Sequence, residues 1–357
     1  MKKIVIACDS YKGCLSSSEV SDAVAEGVSE VYPDCEVVRL AVADGGEGTV
    51  EALVDTLGGH LEWAEVSDPL GRPVRAAYGV AGDLAIIESA AACGLALLTK
   101  EERNPLIATT KGLGELILAA VDKGCRRFLI GLGGSATNDG GMGMIGAEGF
   151  LEKTRGLQFT IACDVDTPYI GKNGASRVFG PQKGASVQDV EVLEERLRGY
   201  ALKISEDTGI DVSDMPGAGA AGGLGGAFRA YLGAELKRGV DLVLDQIGFD
   251  SVIAGADLVI TGEGCSDYQT LKGKTAAGVL ERAERLNIPV ALVSGAVRDE
   301  KMLRDRGFRI VWAVTPPAMS LEEAMRPETA KHLVSVATRN ILHQFCIYYR
   351  VLHMRNH

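Results

Sequence analysis

Histidine is missing from every polar loop of this chain, and that absence narrows its chemistry. The five histidines, His60, His332, His343, His353 and His357, all stand outside the glycine-rich segments where a ligand would be held. A Ser-His-Asp or Cys-His mechanism therefore has no support, and general-base work falls to a carboxylate or a lysine. The eight cysteines are scattered without a CxxC pair, which argues against zinc and for reduced thiols in a cytosolic protein. Positive charge is scarce as well. The net charge of −11 leaves no basic surface of the kind a nucleic-acid binder needs. No apolar stretch approaches the ~20 residues of a membrane span. The opening MKKIVIACDS has too short an apolar run for a signal peptide and reads as a strand, so a cytoplasmic location is expected.

What is present is glycine, 45 residues of it, while aromatics make up only 5%. Without a collagen period, such an excess points to tight loops in an α/β protein. KIVIACDS reads as a buried parallel strand. SSSEVSDAVAEGVSEVY follows as a helix, capped by Ser16, Ser17 or Ser18, with Val20, Val24, Val28 and Val31 on one stripe. EVVRLAVAD is the next strand and GEGTVEALVDTLG the next helix. IPVALVSGAV and RIVWAVTPP are late strands, and SLEEAMRPETAKHLVSVATRNIL is a late helix. FLIGLGGS and LVITGEG are strands in the middle, while RLRGYALKISEDTGI and LGGAFRAYLGAELKRG read as helices. The tail HQFCIYYRVLHMRNH is taken as a last helix fraying into the terminus, in preference to a partner-binding segment. A length of 357 residues suggests two domains. The expected fold is a doubly wound Rossmann-like parallel sheet, residues 1–75 plus 285–357, with a second α/β domain, 76–284, inserted in it.

Five polar loops carry the candidate chemistry: DSYKG, ADGGEGT, GGSATNDGG, ACDVDTPYIGKNGA with FGPQKGA, and TGEGCSDYQTLKGK. Ligands of open α/β sheets sit beyond the carboxyl ends of strands, where such loops converge. Glycine-rich turns point successive N–H groups at an anion, and GGSATNDGGMG and GAGAAGGLGGA are both candidates for this. Neither is a Walker A loop. The first turn, DSYKG, lacks GxGxxG, which disfavours a nicotinamide-dependent dehydrogenase. Eight acids fall in these loops: Asp9, Asp44, Glu47, Asp139, Asp164, Asp166, Glu263 and Asp267. Singly, each is explained by helix capping; together they suit metal-assisted phosphoryl transfer. The lysines on offer are Lys12, Lys172, Lys183, Lys272 and Lys274, of which Lys12 and Lys274 stand among glycines and hydroxyls.

At these residues the chain resembles the type-1 glycerate kinases. The motifs DSYKG-LS, ADGGEGT, GGSATNDGG, ACDVD-P--G--GA, FGPQKGA, GAGAAGGLG and TGEG--D-QT--GK match in wording and order, from about Lys2 to Ser294. The resemblance implies ATP- and Mg²⁺-dependent transfer of phosphate to D-glycerate, most often at the 2-hydroxyl, in a cleft of two α/β domains. The expected catalytic residues are Asp164 or Asp267 as the base, with Lys12 and Lys274. Substrate contacts are expected from Asp9, Ser10, Lys12, Asp44, Glu47 and Gln269. Nucleotide contacts are expected from Gly133, Gly134, Ser135, Thr137, Asn138, Gly140, Gly219, Gly222 and Gly223, and Mg²⁺ ligation from Asp139 and Asp166. The expected partner is D-glycerate, with no nucleic acid and no membrane; a homodimer stays open. The chain departs from the family pattern at Cys8, in place of a proline, at Cys14, in place of a serine, and at Cys265, where an arginine is common. It also has a short segment between Gly149 and Phe159. These departures give weight to one alternative, a small-ligand binding protein that keeps the fold and has lost catalysis.

Overall fold

The strand Lys3–Cys8 runs through a five-stranded, wholly parallel sheet, and its side chains are buried on both faces. The computed structural model describes residues 1–46 and 48–355, and of 348–355 the backbone alone. The sheet order is Ile310–Ala313, Val290–Ser294, Leu258–Gly262, Lys3–Cys8, Glu36–Ala41. Counted along the chain this is a 2-1-3-4-5 order, the flavodoxin-like version of the doubly wound sheet. Strand direction reverses its march between Lys3–Cys8 and Leu258–Gly262, so a crevice is expected above the ends of these two strands. Ile4, Ile6 and Cys8 face helix Ser17–Val31 and the last helix, Pro327–Arg355, within one apolar cluster. The opposite face takes helix Thr275–Arg285, whose Ala276, Val279, Leu280 and Ala283 are buried.

Local chemistry explains where these helices begin. Ser16 caps the first one: its hydroxyl accepts the Glu19 N–H, and the Glu19 carboxylate accepts the Ser16 N–H. Such a capping box is worth about 1 kcal/mol. Gly27 lets this helix meet the last one closely, since a Cβ there would lie 2.5 Å from the Ser335 carbonyl oxygen. The segment expected as one helix from Ser320 is two, Leu321–Ala324 and Pro327–Arg355. Pro327 opens the second because a missing N–H costs nothing in a first helical turn. The helix runs on through the tail segment as far as Arg355.

The second unit is built on a mixed six-stranded sheet in the order His60–Ser67, Pro73–Ala81, Leu84–Glu88, Arg127–Gly131, Gln158–Ala162, Glu235–Lys237. The first two pairings are antiparallel and the remaining three parallel. Phe128 stacks on Phe159 in its core, with ring centroids 4.7 Å apart. Glu235–Lys237 corrects the expected helix LGGAFRAYLGAELKRG: Gly233 is left-handed at φ 61°, ends the helix at Leu232, and lets the chain turn into a strand.

The two compact units are 1–44 with 243–357, and 45–242. The first unit is thus made of two separated stretches of chain, divided from the second at 44/45 and 242/243 rather than at 75 and 284. The hairpin His60–Ala81 pairs with the second sheet, and Leu258–Gly262 pairs with Lys3–Cys8 in the first. Among the described residues, no helix is long and apolar enough to cross a membrane.

Candidate active site

The carboxyl edge of the first unit's sheet delivers Asp9 from Lys3–Cys8, Glu263 from Leu258–Gly262, Gly295 from Val290–Ser294 and Val314 from Ile310–Ala313. A cavity of about 490 Å³ opens there. Asp9, Ser10, Lys12, Asp44, Glu263 and Lys274 form its polar lining. The backbones of the two switch-point strands are tied at this edge, with the Asp9 N–H donating to the Gly262 carbonyl at 2.8 Å.

Asp9 is buried and accepts hydrogen bonds from the Ser10 N–H at 2.7 Å and from the Thr275 hydroxyl at 2.6 Å. Its pKa is raised to about 6, chiefly by burial, with the Asp44 charge adding to the rise and Thr275, Ser10 and Lys12 opposing it. Glu263 is likewise raised by burial, although Thr270 and Ser266 donate to one of its oxygens and Lys274 stands 3.7 Å from the other. Ser266 is also bonded to Ser294 at 2.7 Å, which fixes the loop against the next strand end. Lys274 stands at the cap position of helix Thr275–Arg285 and lines the same cavity.

Five of the residues expected in substrate or catalytic roles thus share one cavity: Asp9, Ser10, Lys12, Asp44 and Lys274. Asp267 and Gln269 lie in the same loop but outside the lining. Asp267 accepts the Gln269 N–H at 2.8 Å and its own N–H donates to the Thr270 hydroxyl, so it shapes a turn. Glu47 lies outside the described residues. Lys272 covers the Tyr268 ring at 5.0 Å.

The remaining expected residues belong to the second unit. The loop following Arg127–Gly131 carries Gly133 and Gly134 exposed, then Ser135, Thr137, Asn138 and Asp139 buried. Asp139 accepts from the Thr110 N–H (2.8 Å), the Thr110 hydroxyl (2.9 Å), the Gly141 N–H and the Gly143 N–H. Both its oxygens accept hydrogen bonds from these donors. Gly219, Gly222 and Gly223 are spent on packing. A Cβ at Gly222 would lie 2.1 Å from the Thr137 carbonyl oxygen, and one at Gly223 would lie 2.6 Å from Gly140 Cα. The Gly140 N–H donates to the Gly222 carbonyl, which clamps the two glycine-rich segments together. The helix after the Asp139 loop is one turn, Met142–Ile145, too short for a useful dipole. Asp164 accepts the Gly239 N–H at 2.9 Å, and Asp164 and Asp166 are both exposed.

Sequence reasoning gave no special place to Lys183. It is fully buried in the second unit and donates to the Ser135 hydroxyl at 3.0 Å and the Thr137 carbonyl at 2.6 Å. Burial lowers its pKa to about 8, against the pull of Cys93 and Asp139. Its place after a proline in FGPQKGA, one residue before a left-handed glycine at φ 99°, was the only local sign. Thr275, the apolar lining residues Met319, Leu321 and Met325, and the pairing of Glu263 with Lys274 were also missed. Of the unusual cysteines, Cys8 is a core residue whose thiol burial pushes far above its ordinary range. Cys14 and Cys265 line the cavity, and Cys265 holds a strand pairing with Ala296.

The pattern of the glycerate kinase family matches residues 4–156 and 148–346, two stretches that overlap across the short segment after Gly149. A glycerate kinase of Bacillus subtilis (strain 168) is 44% identical, the alignment covering 90% of this chain and 92% of the relative. A glycerate 2-kinase of Escherichia coli (strain K12) is 42% identical over 95% of this chain and 97% of its own length. The crystal structure of a putative glycerate kinase 2 from Salmonella typhimurium LT2 superposes with a TM-score of 0.87 at 42% identity, covering 98% of this chain and 99% of that one. With its motifs, its fold and its full-length relatives in agreement, the chain belongs to the glycerate kinase family.

Proposed function

We infer that the chain transfers the γ-phosphoryl group of ATP to a hydroxyl of D-glycerate, the 2-hydroxyl, and that Asp9 is the base. The observation that carries this reading is the company Asp9 keeps. A buried carboxylate with a pKa raised to about 6 shares a cavity with Lys12 and Lys274, the latter at the cap position of an eleven-residue helix. A carboxylate tuned in this way accepts a proton at neutral pH without being inert at that pH.

The reaction balances simply. The glycerate hydroxyl oxygen forms a bond to the γ-phosphorus and the bond from that phosphorus to the β,γ-bridging oxygen breaks, giving phosphoglycerate and ADP. The hydroxyl proton passes to Asp9 and then to solvent. Lys12 and Lys274 supply positive charge for the phosphoryl oxygens, and Thr275 holds the Asp9 carboxylate in place. Such transfers depend on positioning and charge neutralisation more than on covalent help from the protein.

The lining of this cavity fits a Mg²⁺ ion that would enter with the nucleotide. Among the described residues no cluster of three His, Cys, Asp or Glu forms a protein-only cage. Mg²⁺ commonly needs no such cage, taking one or two carboxylates beside phosphate and water. Asp44 is the carboxylate that would hold it, and the ion would offset the charge of the polyphosphate.

A coupled ADP-release assay with D-glycerate, followed by ³¹P NMR of the product, tests the reading. A 2-phosphate signal is expected. ATP and glycerate binding without turnover would instead establish the non-catalytic alternative.

A further inference from the structure

The cavity of the first unit has a second wall that the phosphoryl chemistry leaves unexplained. Opposite in character to Asp9 and the lysines, it is made by Val314, Met319, Leu321, Ala324 and Met325. Leu321 and Met325 are among the exposed large hydrophobic side chains, at 71% and 37%. Glycerate, a three-carbon hydroxy acid with an oxygen on every carbon, has no apolar face to place against them. The cavity of about 490 Å³ is also far larger than such a molecule requires.

We propose that this apolar wall is the seat of the purine ring of the nucleotide. The assignment rests on the ATP reading above and adds which end of the cavity takes which end of the nucleotide. A nucleoside polyphosphate is itself two-sided, with a flat, weakly polar ring at one end and a polyanion at the other. The cavity offers both kinds of surface: Met319, Leu321 and Met325 among its apolar lining, and Lys12 and Lys274, the latter at the cap of a helix, among its polar lining. Methionine suits a ring face because its thioether is polarisable and adapts its shape. Thr315 puts a hydroxyl among the lining residues of the same wall. The wall is also joined to the phosphate side. The Met325 methyl lies 3.5 Å from where a Cβ of Gly13 would stand, so the loop carrying Lys12 packs beside the wall. Covering Leu321 and Met325 with the ring removes apolar surface from water, which favours binding of the base.

The test compares ADP with inorganic triphosphate. Met325→Trp fills the wall, and Leu321→Ala thins it; both positions are exposed enough for the fold to tolerate the change. By calorimetry, Met325→Trp is expected to weaken ADP binding at least tenfold and Leu321→Ala a fewfold. Inhibition by triphosphate and the KM for D-glycerate should stay within twofold. An unchanged ADP affinity in both variants overturns the proposal. So does a parallel loss of ADP and triphosphate, or a rise in the glycerate KM in place of the ADP effect. A wild-type protein that binds ADP in the expected pattern yet does not phosphorylate D-glycerate would refute the proposed reaction while leaving the purine seat standing.

Discussion

Asp139, in the second unit, accepts five hydrogen bonds, from Thr109, Thr110, Gly141 and Gly143, whereas Asp9, in the first, accepts two, from Ser10 and Thr275. Both carboxylates are buried, and both follow strand ends in glycine-containing loops. Asp139 is a brace: it ties its loop to the start of helix Lys111–Asp122. Asp9 is placed beside a cavity and keeps a pKa of about 6, at the cost of desolvating a charge. Burial and loop type are therefore shared, and the number of donors spent on each carboxylate separates structure from chemistry.

The largest effect that would break this comparison is on turnover. Asp9→Asn is expected to lower kcat by about 10²–10⁴-fold, as for removal of a general base. Its melting temperature should be unchanged or higher at pH 7, because a charge whose burial is unfavourable has been removed. Near wild-type turnover would take Asp9 out of the mechanism. Asp139→Asn should do the reverse. Half of its acceptor capacity becomes an N–H₂ facing other donors, costing about 3 kcal/mol of stability. A calorimetric scan showing no loss would mean that the brace is dispensable.

A second pair sharpens the contrast through pH. Lys183 has a folded pKa lowered from 10.5 to about 8, so between those values the unfolded chain holds more protons than the folded one. Stability from this group therefore rises with pH across that window, by up to about 3 kcal/mol, and the full cost is present below pH ~8. Denaturant titrations of wild type and Lys183→Met between pH 7 and 10 should show that slope in their difference; parallel curves would refute it. A smaller effect, about 2 kcal/mol or more, is expected for Gly222→Ala. Its φ of 71° and the nearby Thr137 carbonyl leave no room for a methyl group. An unaltered melting temperature would show that the two glycine-rich segments can part without cost.

The sequence made the parallel sheet, the first helix and the polar loops legible, because β-branched runs, a capping serine and the loop residues are local signals. Ser16 with Glu19 is one such signal, and DSYKG following KIVIAC is another. The fate of Asp139 was not legible. Its main donor, Thr110, stands 29 residues earlier, and nothing in GGSATNDGG shows whether the acid is satisfied. The turn that Asp267 shapes was hidden for the same reason, since a turn-forming aspartate and a base look alike in TGEGCSDYQT. Lys12, Lys274 and Asp9 were legible as polar-loop residues; that they line one cavity was not. The unit boundaries were obscured because the partner of Lys3–Cys8 lies at Leu258–Gly262, beyond the whole second unit. Met319, Leu321 and Met325 stand in a polar, proline-marked stretch that gives no hint of a shared wall.

That distant partner also sets an order of events during synthesis. The strand Lys3–Cys8 leaves the ribosome early with Glu36–Ala41 as its neighbour, but its other edge is completed by Leu258–Gly262. At ribosomal speeds the interval between them is roughly twelve to fifty seconds. The second unit, an uninterrupted stretch from Gly45 to Leu242, emerges whole within that interval. The nascent chain thus carries a half-built sheet with an apolar open edge while a finished one folds behind it. The carboxyl edge of this sheet, which lines the cavity, is therefore assembled last.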